Sequence, residues 1–116
     1  MHAASSGVVS GALSAFAVET ARQEWREGHR RFQEELGDPR RRVRLHAHLE
    51  QVTAELRKRV GTTFTLAELV DVSAAIEDWA REAFEDLGGP NWPADVTLVA
   101  DEALHLYARG ATDYRP

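Results

Sequence analysis

The chain has 116 residues, of which 43% are hydrophobic, and it carries 14 Lys/Arg against 19 Asp/Glu for a formal net charge of −5. This length predicts one domain, large enough to fold around its own core. The sequence contains no cysteine, which excludes disulfides and thiolate zinc sites and is typical of a cytoplasmic protein. No apolar run reaches the roughly 20 residues of a membrane span, so we expect no membrane partner.

Net charge differs in sign between the two halves of the chain. Residues 1–60 hold 11 Lys/Arg and 8 Asp/Glu, a net +3, whereas residues 61–116 hold 3 and 11, a net −8. Such a division indicates either a charged partner or two halves that pair with each other. Arginine and alanine are abundant and Lys58 is the single lysine, a usage typical of GC-rich bacterial genomes.

The first predicted elements are a flexible arm and a long helix. Residues 1–14 are small and polar without periodicity, which predicts disorder, and the four-helix domain is expected over residues 15–110. The first helix is predicted from about Ala15 to Leu36, because apolar positions recur every three or four residues. These positions are Val18, Ala21, Trp25, His29, Phe32 and Leu36. In such a stripe, His29 is expected to be packed and hydrogen-bonded.

The second helix is predicted from Pro39 to Val60. Asp38 is its expected N-cap, and Gly37 is expected to close the first helix in the left-handed conformation. Gly61 ends the second helix. Its core stripe consists of Leu45, Leu49, Val52, Leu56 and Val60. The link between the first and second helices has only two or three residues, and a link this short predicts that the two helices form an antiparallel hairpin.

The third helix is predicted from Leu66 to about Leu87. Thr65 and Glu68 have the spacing of a capping box at its start. Its apolar positions cover a wide arc, which Val72 and Trp79 extend. A wide arc indicates contact with two neighbours, so this helix is expected at the centre of the bundle.

The fourth helix is predicted from about Ala94 to Arg109, after a loop over residues 88–93 that contains two prolines. Its main stripe consists of Val96, Val99, Ala103 and Leu106, while Leu98 and Leu104 lie off that stripe. We therefore expect this helix to be buried on more than one side. Residues 111–116 are expected to form a short C-terminal tail. The chain is thus predicted to be all-α, a small four-helix bundle with short turns.

Carboxylates follow one side of the third helix. They are Glu68, Asp71, Asp78, Glu82 and Glu85. Like charges at this spacing destabilise an isolated helix by roughly 0.2–0.5 kcal/mol per pair, which favours a role in binding a basic protein surface. The alternatives are a solvated face and pairing with the arginines of residues 40–44. Trp92, in the loop between two prolines, either closes the end of the bundle or anchors a partner.

A nucleic-acid-binding regulator is the alternative function. Its candidate phosphate contacts are Arg40, Arg41, Arg42 and Arg44. The acidic second half of the chain argues against a non-specific DNA-binding protein. The sequence lacks the common nucleotide-binding, hydrolase and zinc-protease motifs, so no catalytic, cofactor or metal residues are predicted. Asp101 and His105, four residues apart on the fourth helix, are expected to form a surface salt pair.

The segments 'TFTLAELV', 'DVTLVADEALHLYARG' and 'ATDYRP' resemble small uncharacterised helical proteins of actinobacteria, over about residues 20–116. This resemblance implies a bacterial protein and attaches no activity to it. The sequence as a whole predicts a cytoplasmic, non-enzymatic adaptor or regulator that binds a protein with a basic surface. Self-association through the oppositely charged halves is a related expectation.

Overall fold

The structure is a bundle of four α-helices. The computed structural model describes the backbone of residues 3–85 and 92–115, and side chains over residues 15–83 and 95–115. The helices are α1 (Ala3–Glu35), α2 (Pro39–Val60), α3 (Leu66–Glu85) and α4 (Trp92–Ala108). The described residues contain no strand, and the predicted all-α fold is confirmed. In this part of the chain, none of the helices combines the length and apolar character needed to cross a bilayer.

Helix α1 begins at Ala3, well before the predicted start near Ala15. Its backbone is helical through residues 3–14, and the flexibility assigned to residues 1–14 stays a prediction. From Val18 onward the predicted stripe packs on the core, with Trp25 and Phe32 fully buried. The apolar period of α1 is therefore confirmed for the part of the helix that contacts the bundle.

The link between α1 and α2 follows the predicted chemistry at Asp38 but not at Gly37. The Asp38 side chain accepts a hydrogen bond from the Arg40 N–H at 3.0 Å, and Pro39 occupies the first turn. Among the described glycines, a positive φ occurs at Gly61, with φ 79° and ψ −157°. Gly37 instead donates its N–H to the Glu34 carbonyl at 3.1 Å, so a tightened last turn ends α1 and the prediction for Gly37 was wrong.

Helix α3 begins with the predicted capping box. Glu68 Oε1 accepts from the Thr65 N–H at 3.0 Å, and the Glu68 N–H donates to Thr65 Oγ1 at 3.2 Å. The C-terminal tail adds a second cap, because Asp113 Oδ1 accepts from the Leu66 N–H at 2.9 Å. Thr112 also donates its N–H to the Phe64 carbonyl at 2.9 Å, so the tail is attached to the start of α3.

Helix α4, rather than α3, is central to the bundle. It packs against α1, α2 and α3, and its contacts with the other helices are the most extensive. Its buried apolar residues are Val96, Val99, Ala100, Ala103, Leu104 and Ala108. The predicted burial on several sides is confirmed at Leu104, whereas Leu106 is 40% exposed and was wrongly assigned to the core. This central position also carries two acidic residues of α4, Asp95 and Glu102, into the interior.

Candidate functional site

The carboxylates of α3 lie on its solvent side, as their spacing predicts. Glu68, Asp71, Asp78 and Glu82 are all exposed. We refer to these four residues as the acidic face. The side chains of Glu85 and Trp92, the other two predicted binding residues, lie outside the described side chains.

The acidic face has few partners within the chain. Glu68 is used in the cap of α3, and Asp78 lies 3.8 Å from Arg81, an exposed pair that contributes little to stability. Asp71 and Glu82 make no side-chain hydrogen bond or ion pair with the described residues. These two carboxylates are therefore the members of the face best placed to meet an external cation.

The basic cluster at the start of α2 binds a buried carboxylate. Arg41 Nη2 and Arg44 Nε each lie 2.8 Å from a different oxygen of Asp95, whose side chain has 0% exposure. Arg41 Nε also lies 2.8 Å from Glu35 Oε1. Because Asp95 is in the first turn of α4, the helix dipole favours its negative charge as well. These arginines therefore join α2 to α1 and α4 and do not pair with the acidic face.

The remaining arginines of this cluster are Arg40 and Arg42. Arg42 donates from Nε to the Leu36 carbonyl at 2.9 Å, whereas the Arg40 side chain is exposed. Of the four predicted phosphate contacts, Arg41 and Arg44 thus pair with side chains of the chain and Arg42 with a backbone carbonyl, whereas the Arg40 side chain makes no such contact with the described residues. Nucleic-acid binding stays a prediction, but the structure leaves it fewer uncommitted cations than the sequence indicated.

His48 adjoins this arginine cluster and is buried, with 5% exposure. Burial lowers the pKa of His48, although the nearby Asp95 carboxylate acts in the opposite direction. The imidazole therefore favours its neutral form beside the Asp95 ion pairs. We therefore interpret His48 and the Asp95 ion pairs as a buried polar cluster that joins the helices, not as a ligand-binding surface.

A second polar cluster joins α1 to α4. His29 Nδ1 lies 2.6 Å from Glu102 Oε1, and the Glu102 side chain has 3% exposure. The His29 ring stacks on His105 with centroids 4.3 Å apart and planes inclined by 21°. The predicted hydrogen-bonded packing of His29 is confirmed. The expected salt pair of His105 with Asp101 was wrong, because the His105 ring stacks on His29 while Asp101 lies in a separate groove.

His29, Glu102 and His105 form a packed contact between α1 and α4. Burial, followed by the proximity of His29 and Arg109, lowers the pKa of His105 to about 4. His105 is therefore neutral at pH 7 and can stack on its neighbour without charge repulsion. Within the described residues, no group of three or more His, Asp and Glu is arranged to hold a metal ion.

Asp101 lines an open groove of about 490 Å³ between α1, α3 and α4, together with Glu24, Glu27 and Glu77. Burial and the repulsion from Glu77 raise the pKa of Asp101 to about 6, against a weaker opposing effect of Arg31. At pH 7 the ionised Asp101 carboxylate therefore lowers the free energy of unfolding.

We expect Asp101→Asn to stabilise the fold at pH 7 by on the order of 1–3 kcal/mol. The folded-state pKa of Asp101, about 6, lies above the ordinary value of 3.8, so its contribution to stability is present below pH 3.8 and is lost as pH rises through 6. Asparagine avoids that loss, so the gain should vanish near pH 4. Urea unfolding at both pH values measures it, with Asp71→Asn as the exposed control. A gain of equal size at both pH values would contradict this explanation.

Sequence reasoning missed Asp95 and Glu102 as interior carboxylates. Helical periodicity marks apolar positions, and it assigns an acidic residue to solvent unless a partner is known. The available signal was indirect: Arg41 and Arg44 are three residues apart on one side of α2, a spacing that lets both reach one carboxylate. The sequence offers many carboxylates, so this signal alone does not select Asp95.

Comparison of the chain with protein-family models, with curated proteins and with solved structures gave no match in any of the three. The fold and the sites define its class as an all-α four-helix bundle with ion-paired polar residues in its interior and an exposed acidic face on α3. Conclusions about function therefore have to come from the chemistry of its surface.

Proposed function

We propose that this protein is a non-enzymatic adaptor or regulator that binds a protein partner with a basic surface through its acidic face. The observation that most supports this proposal is that Asp71 and Glu82 are exposed and make no ion pair with the described residues. They lie opposite the buried side of α3, where Leu69, Ile76 and Ala80 pack on the core. The face is thus held by a packed helix and is open to a partner.

Electrostatics support a basic partner over a neutral one. The like charges of the acidic face repel each other by roughly 0.2–0.5 kcal/mol per neighbouring pair. A basic surface replaces that repulsion by attraction and speeds the diffusional encounter, an effect that salt screens. We therefore expect binding to be faster and tighter at low ionic strength. We place this binding in the bacterial cytoplasm, a location that the cysteine-free sequence supports.

The test is affinity capture from a cell extract with the wild-type chain and with Asp71→Lys/Glu82→Lys. Neither residue takes part in a cap or ion pair among the described residues, so we expect the variant to fold. The amount of basic partner that it captures should fall by at least about tenfold. Glu68 is left unchanged because it caps α3, and Asp78 because it neighbours Arg81. Quantitative mass spectrometry of the captured proteins, in low and high salt, measures the loss.

The matched control is Glu19→Lys/Glu50→Lys, which changes net charge by the same amount on exposed positions of α1 and α2. We expect this control to retain the partner. Equal losses in both variants would mean that overall charge, not the acidic face, governs capture. Retention of the partner by Asp71→Lys/Glu82→Lys would remove α3 from the proposal.

A further inference from the structure

A seam between α2 and α3 runs along the outside of the bundle. Two grooves, of about 310 and 240 Å³, lie along it, and their lining residues all belong to these two helices. The apolar lining residues are Ala54, Val60, Val72, Trp79 and Ala83. Ala54 is exposed and the others are half-buried, so the seam presents an apolar floor to solvent. The described residues place no further helix over this floor.

The two edges of the seam have opposite charge. On the α2 edge, Lys58 and Arg59 have side-chain exposures of 77% and 38%. On the α3 edge, Glu68 and Asp71 belong to the acidic face and line the same groove as Arg59. The apolar floor thus has a basic edge along one helix and an acidic edge along the other.

The two cations of the basic edge share one carboxylate on their own helix. Lys58 Nζ and Arg59 Nε lie 3.6 Å and 2.9 Å from Glu55, a residue of their own helix. The Glu55 side chain has 14% exposure and is shared by both cations, so either cation can turn to an interface while the other keeps Glu55 paired. Asp71, on the other edge, makes no ion pair with the described residues.

We propose that the α2–α3 seam is a self-association surface and that its occupant is a second copy of this chain. The proposal rests on the proposed function, because Glu68 and Asp71 of the acidic face again bind basic groups, here those of the α2 edge of a second copy. A two-fold axis parallel to the seam places α2 of one copy over α3 of the other. Each basic edge then faces an acidic edge, and Arg59 of one copy comes over Asp71 of the second copy, twice in the dimer.

Charge complementarity favours a second copy over a uniformly basic protein at this seam. A uniformly basic surface is attracted by the α3 edge and repelled by Lys58 and Arg59. The same chain, turned through the two-fold axis, satisfies both edges at once. It also removes two apolar floors from water, including the half-buried ring of Trp79, and aromatic residues are enriched among those that contribute most to binding.

The test uses charge reversal on one edge at a time. Sedimentation analysis of the wild-type chain at low salt should give a dimer that dissociates as salt is raised. Asp71→Lys and Arg59→Glu should each weaken the dimer by about tenfold or more, since two attractive pairs become repulsive. An equal mixture of the two variants should restore a dimer containing one of each, because both reversed edges then face a complementary edge.

Two further variants separate the seam from general effects. Ala54→Glu places a charge on the exposed floor without changing a buried residue and should abolish dimerisation. Gln33→Glu adds the same charge on an exposed position of α1 and should leave the dimer intact. Circular dichroism of each variant checks that the helices are retained.

A wild-type chain that stays monomeric at low salt and high concentration would overturn self-association, as would a mixture of the two reversed variants that fails to pair. A dimer that is indifferent to Asp71→Lys and Arg59→Glu would place the interface elsewhere and overturn it too. Arg59→Glu leaves the acidic face intact, so it should lose the dimer and still capture a different basic partner. Failure of this inference is therefore distinguishable from failure of the proposed function.

Discussion

Replacing Asp95 by alanine should destabilise the fold by about 3–4 kcal/mol, because it leaves two partly buried guanidinium groups without their carboxylate. Asp95 is fully buried, and Arg41 and Arg44 have side-chain exposures of 22% and 35%. Their charges stay in a region of low dielectric constant after the substitution, and water only partly replaces the lost partner. The free energy of unfolding, measured by urea denaturation with an unchanged slope, gives the effect.

The control for this loss is Asp78→Ala, which removes a carboxylate of the exposed acidic face and should change stability by less than about 0.5 kcal/mol. Combining Asp95→Leu with Arg41→Met and Arg44→Met removes both signs of charge and should recover much of the stability. If the triple variant still loses much of the free energy of unfolding, then Asp95 stabilises the fold by more than neutralising the charges of Arg41 and Arg44. A loss below about 1 kcal/mol in Asp95→Ala would contradict the proposed burial of charge.

Local features of the fold could be predicted from the sequence because their partners lie within a few residues. The caps of α2 at Asp38 and of α3 at Thr65 and Glu68 join residues two or three positions apart. The exposure of the acidic face follows in the same way from the period of α3. Each of these depends on the geometry of one helix and on nothing beyond it.

Contacts between helices could not be predicted in this way. Arg41 and Asp95 are 54 positions apart in the sequence, and His29 and Glu102 are 73 apart. Their pairing depends on which helix is central, and the sequence pattern wrongly assigned that position to α3 instead of α4. Helix α4 uses alanines such as Ala100 and Ala103 at its buried positions, so its apolar pattern is weaker than that of α3 although it contacts more of the bundle.

The α2–α3 seam illustrates the same limit. Lys58, Arg59 and the carboxylates of α3 are all visible in the sequence, and their opposite charges suggested pairing between the two halves of the chain. The sequence does not show that Arg59 and Asp71 border one apolar groove, because that requires knowing the side on which α2 meets α3. The general idea of charge matching was therefore available from sequence, and the surface that carries it was not.

Gly28 marks the closest approach of α1 to α4, and we expect Gly28→Ala to destabilise the fold by about 2–3 kcal/mol. An added Cβ would overlap Asp101 Cβ and lie 2.6 Å from Asp101 Oδ2. Alanine is favoured over glycine inside a helix by about 0.5–1 kcal/mol, so propensity alone predicts the opposite sign. The expected loss reflects separation of two helices whose contact includes the His29–Glu102 hydrogen bond.

Gly110→Ala is the matched control for Gly28→Ala, since its added Cβ would meet no atom closer than 3.5 Å, and we expect a change within about 0.5 kcal/mol. Adding Asp101→Gly to Gly28→Ala removes the overlapping Cβ and should restore part of the stability. A neutral or stabilising Gly28→Ala would mean that α1 and α4 can separate there at no cost. The close contact would then no longer explain the burial that, together with Glu77, raises the pKa of Asp101.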